Sequence, residues 1–127
     1  MKNLIIEEGD KSLAVDLRSG TLNFSGRSII NDPRKFFAPI KEWVDEYVFV
    51  APKLTTININ LEYMDTASAK SFHEILDSLT KINSSRKVIV NWHYSYTDPE
   101  IMELGEIIAG KIGFDFVYHE NRDVEEG

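Results

Sequence analysis

The stretch LEYMDTASAKSFHEIL, Leu61 to Leu76, carries the residue types best suited to chemistry in this chain. Asp65, Thr66 and Ser68 crowd one corner between a strand-like and a helix-like pattern, and Lys70 follows within a helical turn of Thr66. Each of the three short polar side chains is able to cap a helix, because a side-chain oxygen there accepts from backbone N–H groups that no helical carbonyl reaches. One cap is enough for one helix, so three at one joint leave a hydroxyl over. A surface hydroxyl beside the positive end of a helix is well placed to carry a phosphate. That group adds about −1.5 to −2 charges and three acceptor oxygens, and a helix N-terminus favours an anion. Thr66 and Ser68 both offer such a hydroxyl. A partner docked on the corner would meet the new charge beside Glu62 and Asp65, so modification is expected to alter binding more than folding.

Other chemistries find little support. His73, His93 and His119 share no ligand spacing and no HExxH motif is present, so a metal site is not expected. The absence of cysteine removes thiol catalysis and Cys-based zinc sites. There is no Gly-x-Ser-x-Gly elbow. Gly105 to Lys111 mimics the start of a phosphate-binding loop, but Ile112 stands where Ser or Thr must hold magnesium, and the stretch reads as helix. No dinucleotide fingerprint appears, and no cofactor is expected. Asn83-Ser84-Ser85 matches a glycosylation sequon in what reads as a polar loop between a helix and a strand.

The elements that must position the corner follow from periodicity. Leu4–Ile6 is a short strand candidate; Ser12–Leu17 and Thr21–Ser25 alternate as strands, with Arg18-Ser19-Gly20 as a three-residue hairpin connection. Asp32-Pro33 starts a helix whose Phe36, Phe37, Ile40, Trp43, Val44, Tyr47 and Val48 recur at helical spacing, with a kink or a late true start expected at Pro39. Thr55–Leu61 alternates cleanly as a strand. The helix after it buries Ala69, Phe72, Leu76 and Leu79. Lys87–Trp92 is a strand, Asp98-Pro99 opens a third helix ended by Gly113, and Phe114–Tyr118 is the last strand. Strands alternating with helices require crossovers, hence an α/β fold. The expectation is one domain over 1–127: an N-terminal hairpin plus largely parallel inner strands, packed with three main helices. Residues 120–127 are expected to form a frayed acidic tail.

Composition narrows the partners. At 127 residues with a formal charge of −7, the chain has one domain's length and repels nucleic-acid backbone. No apolar run has the length of a signal peptide or a membrane span, so a cytoplasmic protein that engages neither nucleic acid nor membrane is expected. The aromatic run NWHYSY alternates, sending Trp92, Tyr94 and Tyr96 to one face and His93 to the other. That row is either core or an aromatic patch at a strand's carboxyl end, where open α/β sheets engage ligands. The expected docking face comprises Tyr63, Asp65, Thr66, Ser68, Lys70 and His73, with Trp92 and Tyr94 as contributors.

A strand ending in a hydrophobic residue and Asp, then Thr, then a helix of small and apolar residues resembles the STAS-type anti-sigma-factor antagonists. In those proteins a partner kinase phosphorylates the hydroxyl after the Asp, the position of Thr66 here, so the resemblance implies Thr66 as the acceptor, with Ser68 the second choice. A fuller correspondence runs from Leu13 to Phe116 through SGRSIINDPRKFFAPIKEWVDEY, LEYMDTASAKSFHEILDSL and VNWHYSYTDPEIMELGE. These blocks resemble the SiaC family of regulatory phosphoproteins, a STAS-like group. The resemblance implies a non-enzymatic switch: a dedicated kinase phosphorylates Thr66, a PPM-type phosphatase removes the phosphate, and the unphosphorylated form activates a diguanylate cyclase. Raised cyclic di-GMP then promotes biofilm. Asp65 and Ala67 replace the family's common Asn and Ser, and Ile30-Asn31-Asp32 replaces its Pro-Glu-Asn. Asp65 brings the corner nearer the sigma-antagonist pattern, which makes an anti-sigma factor the alternative partner.

Overall fold

The computed structural model describes residues 1–122, so the tail residues 123–127 of the sequence expectation lie outside the described residues. Strands β1 (Leu4–Ile6), β2 (Ala14–Arg18) and β3 (Thr21–Ser28) precede helix α1 (Pro33–Val50). Strand β4 (Leu54–Met64), α2 (Thr66–Leu79), β5 (Lys87–Ser95), α3 (Pro99–Ile112) and β6 (Asp115–Asn121) follow. The six strands form one sheet in chain order. β1, β2 and β3 are antiparallel neighbours, whereas β3, β4, β5 and β6 are parallel. Every parallel crossover steps one strand in the same direction. Right-handed connections therefore place all three helices on one face, where α1 touches α2 and α2 touches α3.

The core lies under that helical layer. β2 and β3 contribute Val15, Leu17, Leu22 and Phe24; β4 and β5 contribute Ile57, Ile59, Val90 and Trp92. α1 answers with Phe37, Ile40, Val44, Tyr47 and Val48, and α2 with Phe72, Ile75, Leu76 and Leu79. The buried Tyr47 hydroxyl shares a 2.7 Å hydrogen bond with Thr55 and accepts the Gly20 N–H at 2.9 Å, joining α1 to β4 and to the hairpin. That hairpin is tighter than expected. Arg18 pairs directly with Thr21, leaving Ser19-Gly20 as a two-residue loop in which Gly20 takes φ 91°. The helix does not start late at Pro39: α1 runs as one helix from Pro33 to Val50. Pro39 lies on the solvent side, so the carbonyl it leaves unpaired faces water. At the other end of the chain, Glu120 and Asn121 belong to β6 rather than to a tail.

The face away from the helices carries a polar chain. Asn91 donates to Asn58 at 2.9 Å and Asn58 to Asn23 at 2.9 Å. The direction of that chain makes His119 Nε2 the donor to Asn91 Oδ1, also at 2.9 Å. His119 stacks on His93 with ring centroids 4.6 Å apart. Burial, and then the neighbouring His119, push His93 below its ordinary value of 6.5. Protonation is thus harder in the folded chain than in the unfolded one. Stability is complete above the unfolded value and declines as pH falls through it toward the lower folded value. The drop in melting temperature between pH 7.5 and 5.5, followed by circular dichroism, is expected to be smaller in His93→Asn than in the wild type. An equal drop would remove His93 from the acid response.

Candidate functional site

The three parallel crossovers begin alike. Each strand-to-helix joint is capped by an aspartate: Asp32 accepts from Lys35 N, Asp65 from Ser68 N and Asp98 from Ile101 N. The next residue, first in each helix, is Pro33, Thr66 and Pro99 respectively. Proline suits that position because its missing N–H would have been unpaired anyway. Only the central joint puts a hydroxyl there, and Thr66 is exposed with no hydrogen-bond partner among the described residues. Since Asp65 Oδ1 holds the cap bond to Ser68 N at 2.8 Å, Thr66 is not needed for capping. This resolves the crowding of capping residues: one caps, one is buried, one is free.

A bulge delivers the corner to the surface. Gly26 pairs with Leu61 and Arg27 with Tyr63, so Glu62 is an extra residue in β4. The extra residue inverts the alternation, turning Tyr63 outward at 49% exposure and Met64 inward at 8%. Glu62 meets Arg27 across the bulge at 2.8 Å, and that carboxylate, by hydrogen bond and charge, raises the Arg27 guanidinium further above its ordinary value. The pair is exposed and screened, so it contributes little to stability.

Thr66 stands on the rim of a cleft of about 270 Å³ between α2 and α3, lined by Tyr63, Met64, Thr66, Ala69, Asp98, Glu100, Ile101 and Leu104. Its floor is apolar and its α3 rim acidic. A second cleft of about 440 Å³ flanks α2 on the α1 side and includes Arg34, Ala67 and Lys70. Both open at the carboxyl ends of the parallel strands, where ligands engage open α/β sheets.

The structure therefore brings together Tyr63, Asp65, Thr66 and Lys70. It does not bring in the rest. Ser68 is 0% exposed and its Oγ accepts from Ser28 Oγ at 2.8 Å, so the second-choice acceptor has no accessible hydroxyl. Trp92 is likewise fully buried, with Nε1 donating to Ile101 O at 3.0 Å. It is a core residue, because alternation from Val88 and Val90 turns it toward the helices. Tyr94 packs its ring on the core, donates to Glu120 at 3.3 Å and lines neither cleft. Partial desolvation, and then the Glu120 carboxylate, raise its phenol. His73 lines neither cleft; its Nε2 is enclosed without a hydrogen-bond partner among the described residues. The sequence reading missed the α3 wall of the cleft. Its signal was the repeated Asp-Pro start at Asp98-Pro99, which sets the end of α3 beside that of α2.

The arrangement offers an exposed hydroxyl at a helix N-terminus, held by no neighbour among the described residues and abutting a half-apolar cleft. No His, Cys, Asp or Glu cluster suited to a metal occurs among the described residues, nor is any described helix long and apolar enough to cross a membrane.

Relatives share this frame. The unliganded SiaC of Pseudomonas aeruginosa superposes with a TM-score of 0.84 at 24% identity, covering 94% of this chain and 99% of that one. SiaC in complex with the diguanylate cyclase SiaD, whose activator it is, matches with a TM-score of 0.82 at 25% identity, over 93% of this chain and 99% of that one. An uncharacterised protein of P. aeruginosa strain UCBPP-PA14 is 26% identical over 102 residues, 80% of this chain and 81% of the relative. Residues 7–121 match the SiaC family of regulatory phosphoproteins, and the chain belongs to that family.

Proposed function

We propose that this protein is a phosphorylation-gated adaptor that works in the cytoplasm without catalysis of its own. Its unphosphorylated form binds and activates a diguanylate cyclase. A cognate kinase closes the switch at Thr66 and a PPM-type phosphatase reopens it. The observation that carries this reading is the freedom of the Thr66 hydroxyl at the start of α2, with its capping role taken by Asp65. The cyclase is proposed as partner because the related SiaC activates SiaD. The docking face comprises Tyr63, Asp65, Thr66 and Lys70, together with the acidic wall of Asp98 and Glu100. A dianion at Thr66 is compatible with α2, whose dipole favours it. It is incompatible with a partner surface seated on the corner, where an added charge is desolvated without a counterpart.

The test is affinity capture from the native cell with wild type, Thr66→Ala and Thr66→Asp, read by mass spectrometry and followed by binding to the captured partner. Wild type and Thr66→Ala are expected to bind equally and Thr66→Asp about tenfold more weakly, a typical coupling strength for a switch. Equal retention by all three, with no phosphate on Thr66, would return the corner to a helix start and nothing more. Recovery of an anti-sigma factor instead of a cyclase would keep the gate and change its output.

A further inference from the structure

We propose that Ser28 is the positioning residue for the phosphoacceptor. The proposal rests on the reading of Thr66 as that acceptor. Ser28, the last residue of β3, is fully buried and pairs in register with Met64. Three hydrogen bonds close a circuit around Thr66. Asp65 N donates to Ser28 O at 3.0 Å, Ser28 Oγ donates to Ser68 Oγ at 2.8 Å, and Ser68 N donates to Asp65 Oδ1 at 2.8 Å. Asp65 O also accepts from Ala69 N at 2.8 Å, which closes the first helical turn. Thr66 and Ala67 are the only residues between Asp65 and Ser68, so the circuit encloses the acceptor's own backbone.

Of the three members, Asp65 and Ser68 belong to the corner itself and Ser28 comes from forty residues before Ser68. A capped helix end alone is free to shift along the sheet; one bound at two points to β3 is not. The Asp65 N–H fixes the entry of the turn and the Ser28 hydroxyl fixes its third residue. The Cα–Cβ bond of Thr66 thereby leaves the helix in one direction, and a kinase receives the residue without first ordering the corner. The same bond keeps the Ser68 hydroxyl engaged and inside, which limits modification to one site. Transfer itself is ordinary: the Thr66 oxygen bonds to the γ-phosphorus of ATP, the bond to ADP breaks, and the hydroxyl proton passes to a base of the kinase.

The experiment measures initial rates of phosphate incorporation into Thr66 of the purified chain, using labelled ATP and an extract of the protein's own cells. The substrates are wild type, Ser28→Ala, Ser28→Thr, Ser68→Ala and Ile57→Val. Ile57→Val lies in the core of β4 away from the corner and serves as a destabilised control. Ser28→Ala and Ser68→Ala are expected to lower the maximal rate about tenfold, the scale of a sub-ångström misplacement of a reacting group, while the half-saturating concentration stays within twofold. Ser28→Thr, which keeps the hydroxyl, restores the rate, and Ile57→Val matches wild type. Wild-type rates in both alanine variants would overturn the proposal. So would an equal slowing in Ile57→Val, which would trace the effect to stability. Absence of label on wild-type Thr66 would instead remove the acceptor reading, and the role of Ser28 with it.

Discussion

Ser68→Asp is expected to lower the stability of the fold by about 3–5 kcal/mol, whereas Thr66→Asp, two residues away, leaves it unchanged or slightly raised. The two side chains differ in what surrounds them. Ser68 has no exposed surface, and its oxygen sits 2.8 Å from the equally buried Ser28 oxygen. A carboxylate there loses its hydration and meets at most one hydroxyl, which does not compensate a buried charge. It must take up a proton or open the corner. Thr66, in water at the first position of α2, offers an added carboxylate the unpaired N–H groups and the positive end of the helix. For a chain of this size the Ser68→Asp loss corresponds to a fall in melting temperature of roughly 10–20 °C. Urea denaturation of the two variants beside wild type checks this. Equal midpoints would mean that the end of α2 opens readily enough to hydrate Ser68, and Ser68 would return as an acceptor. The contrast also guards the binding experiment. An acidic substitution at Thr66 tests the gate, while one at Ser68 tests only whether the corner survives.

How much of this was legible in the residues depends on the range of the interaction. Strand and helix periods are local, so β2 to β6 and the three helices are readable in order from patterns such as Ile57, Ile59 and Leu61 or Phe37, Ile40 and Val44, with β1 only as a short candidate. Ser68 was also within reach. It lies at helical spacing from Phe72, Ile75 and Leu79, all buried, so that pattern carried it inward; the reading began the buried face one residue late, at Ala69. The β4 bulge was not legible. Glu62 disturbs the alternation, so the periodic pattern stops at Leu61, and only pairing with β3 shows that Glu62 is the extra residue. The same holds for Trp92. Alternation separated it from His93 correctly, but which side of the sheet faces the helices is decided by the handedness of three crossovers. The corner Asp65-Thr66 was readable because capping is local. Its ties to Ser28 were not, since that contact spans forty residues.

Gly105→Ala is expected to destabilise the protein by about 2–3 kcal/mol, against its intrinsic helix preference, which favours alanine by about 1 kcal/mol. A Cβ on Gly105 would lie 2.6 Å from Trp92 Cε2 and 2.7 Å from its Nε1. The indole has nowhere to go. It is fully buried, its N–H is held by Ile101 O at 3.0 Å, and it stacks on Phe116 at 6.1 Å between centroids. α3 must therefore move outward, stretching the Ile101 bond that docks its first turn. Gly110, on the same helix, has nothing within 4 Å of the corresponding Cβ. Gly110→Ala therefore isolates helix propensity and is expected to stabilise by up to about 1 kcal/mol, so the two substitutions should move the melting temperature in opposite directions. The displacement also reaches the docking face, because Asp98, Glu100, Ile101 and Leu104 of α3 line the cleft beside Thr66. Gly105→Ala should thus weaken partner capture while leaving Thr66 intact, with a shift in tryptophan emission reporting the disturbed ring. Were Gly105→Ala instead as stabilising as Gly110→Ala, Trp92 would have room to yield, and the wall of the cleft would be set by something other than this contact.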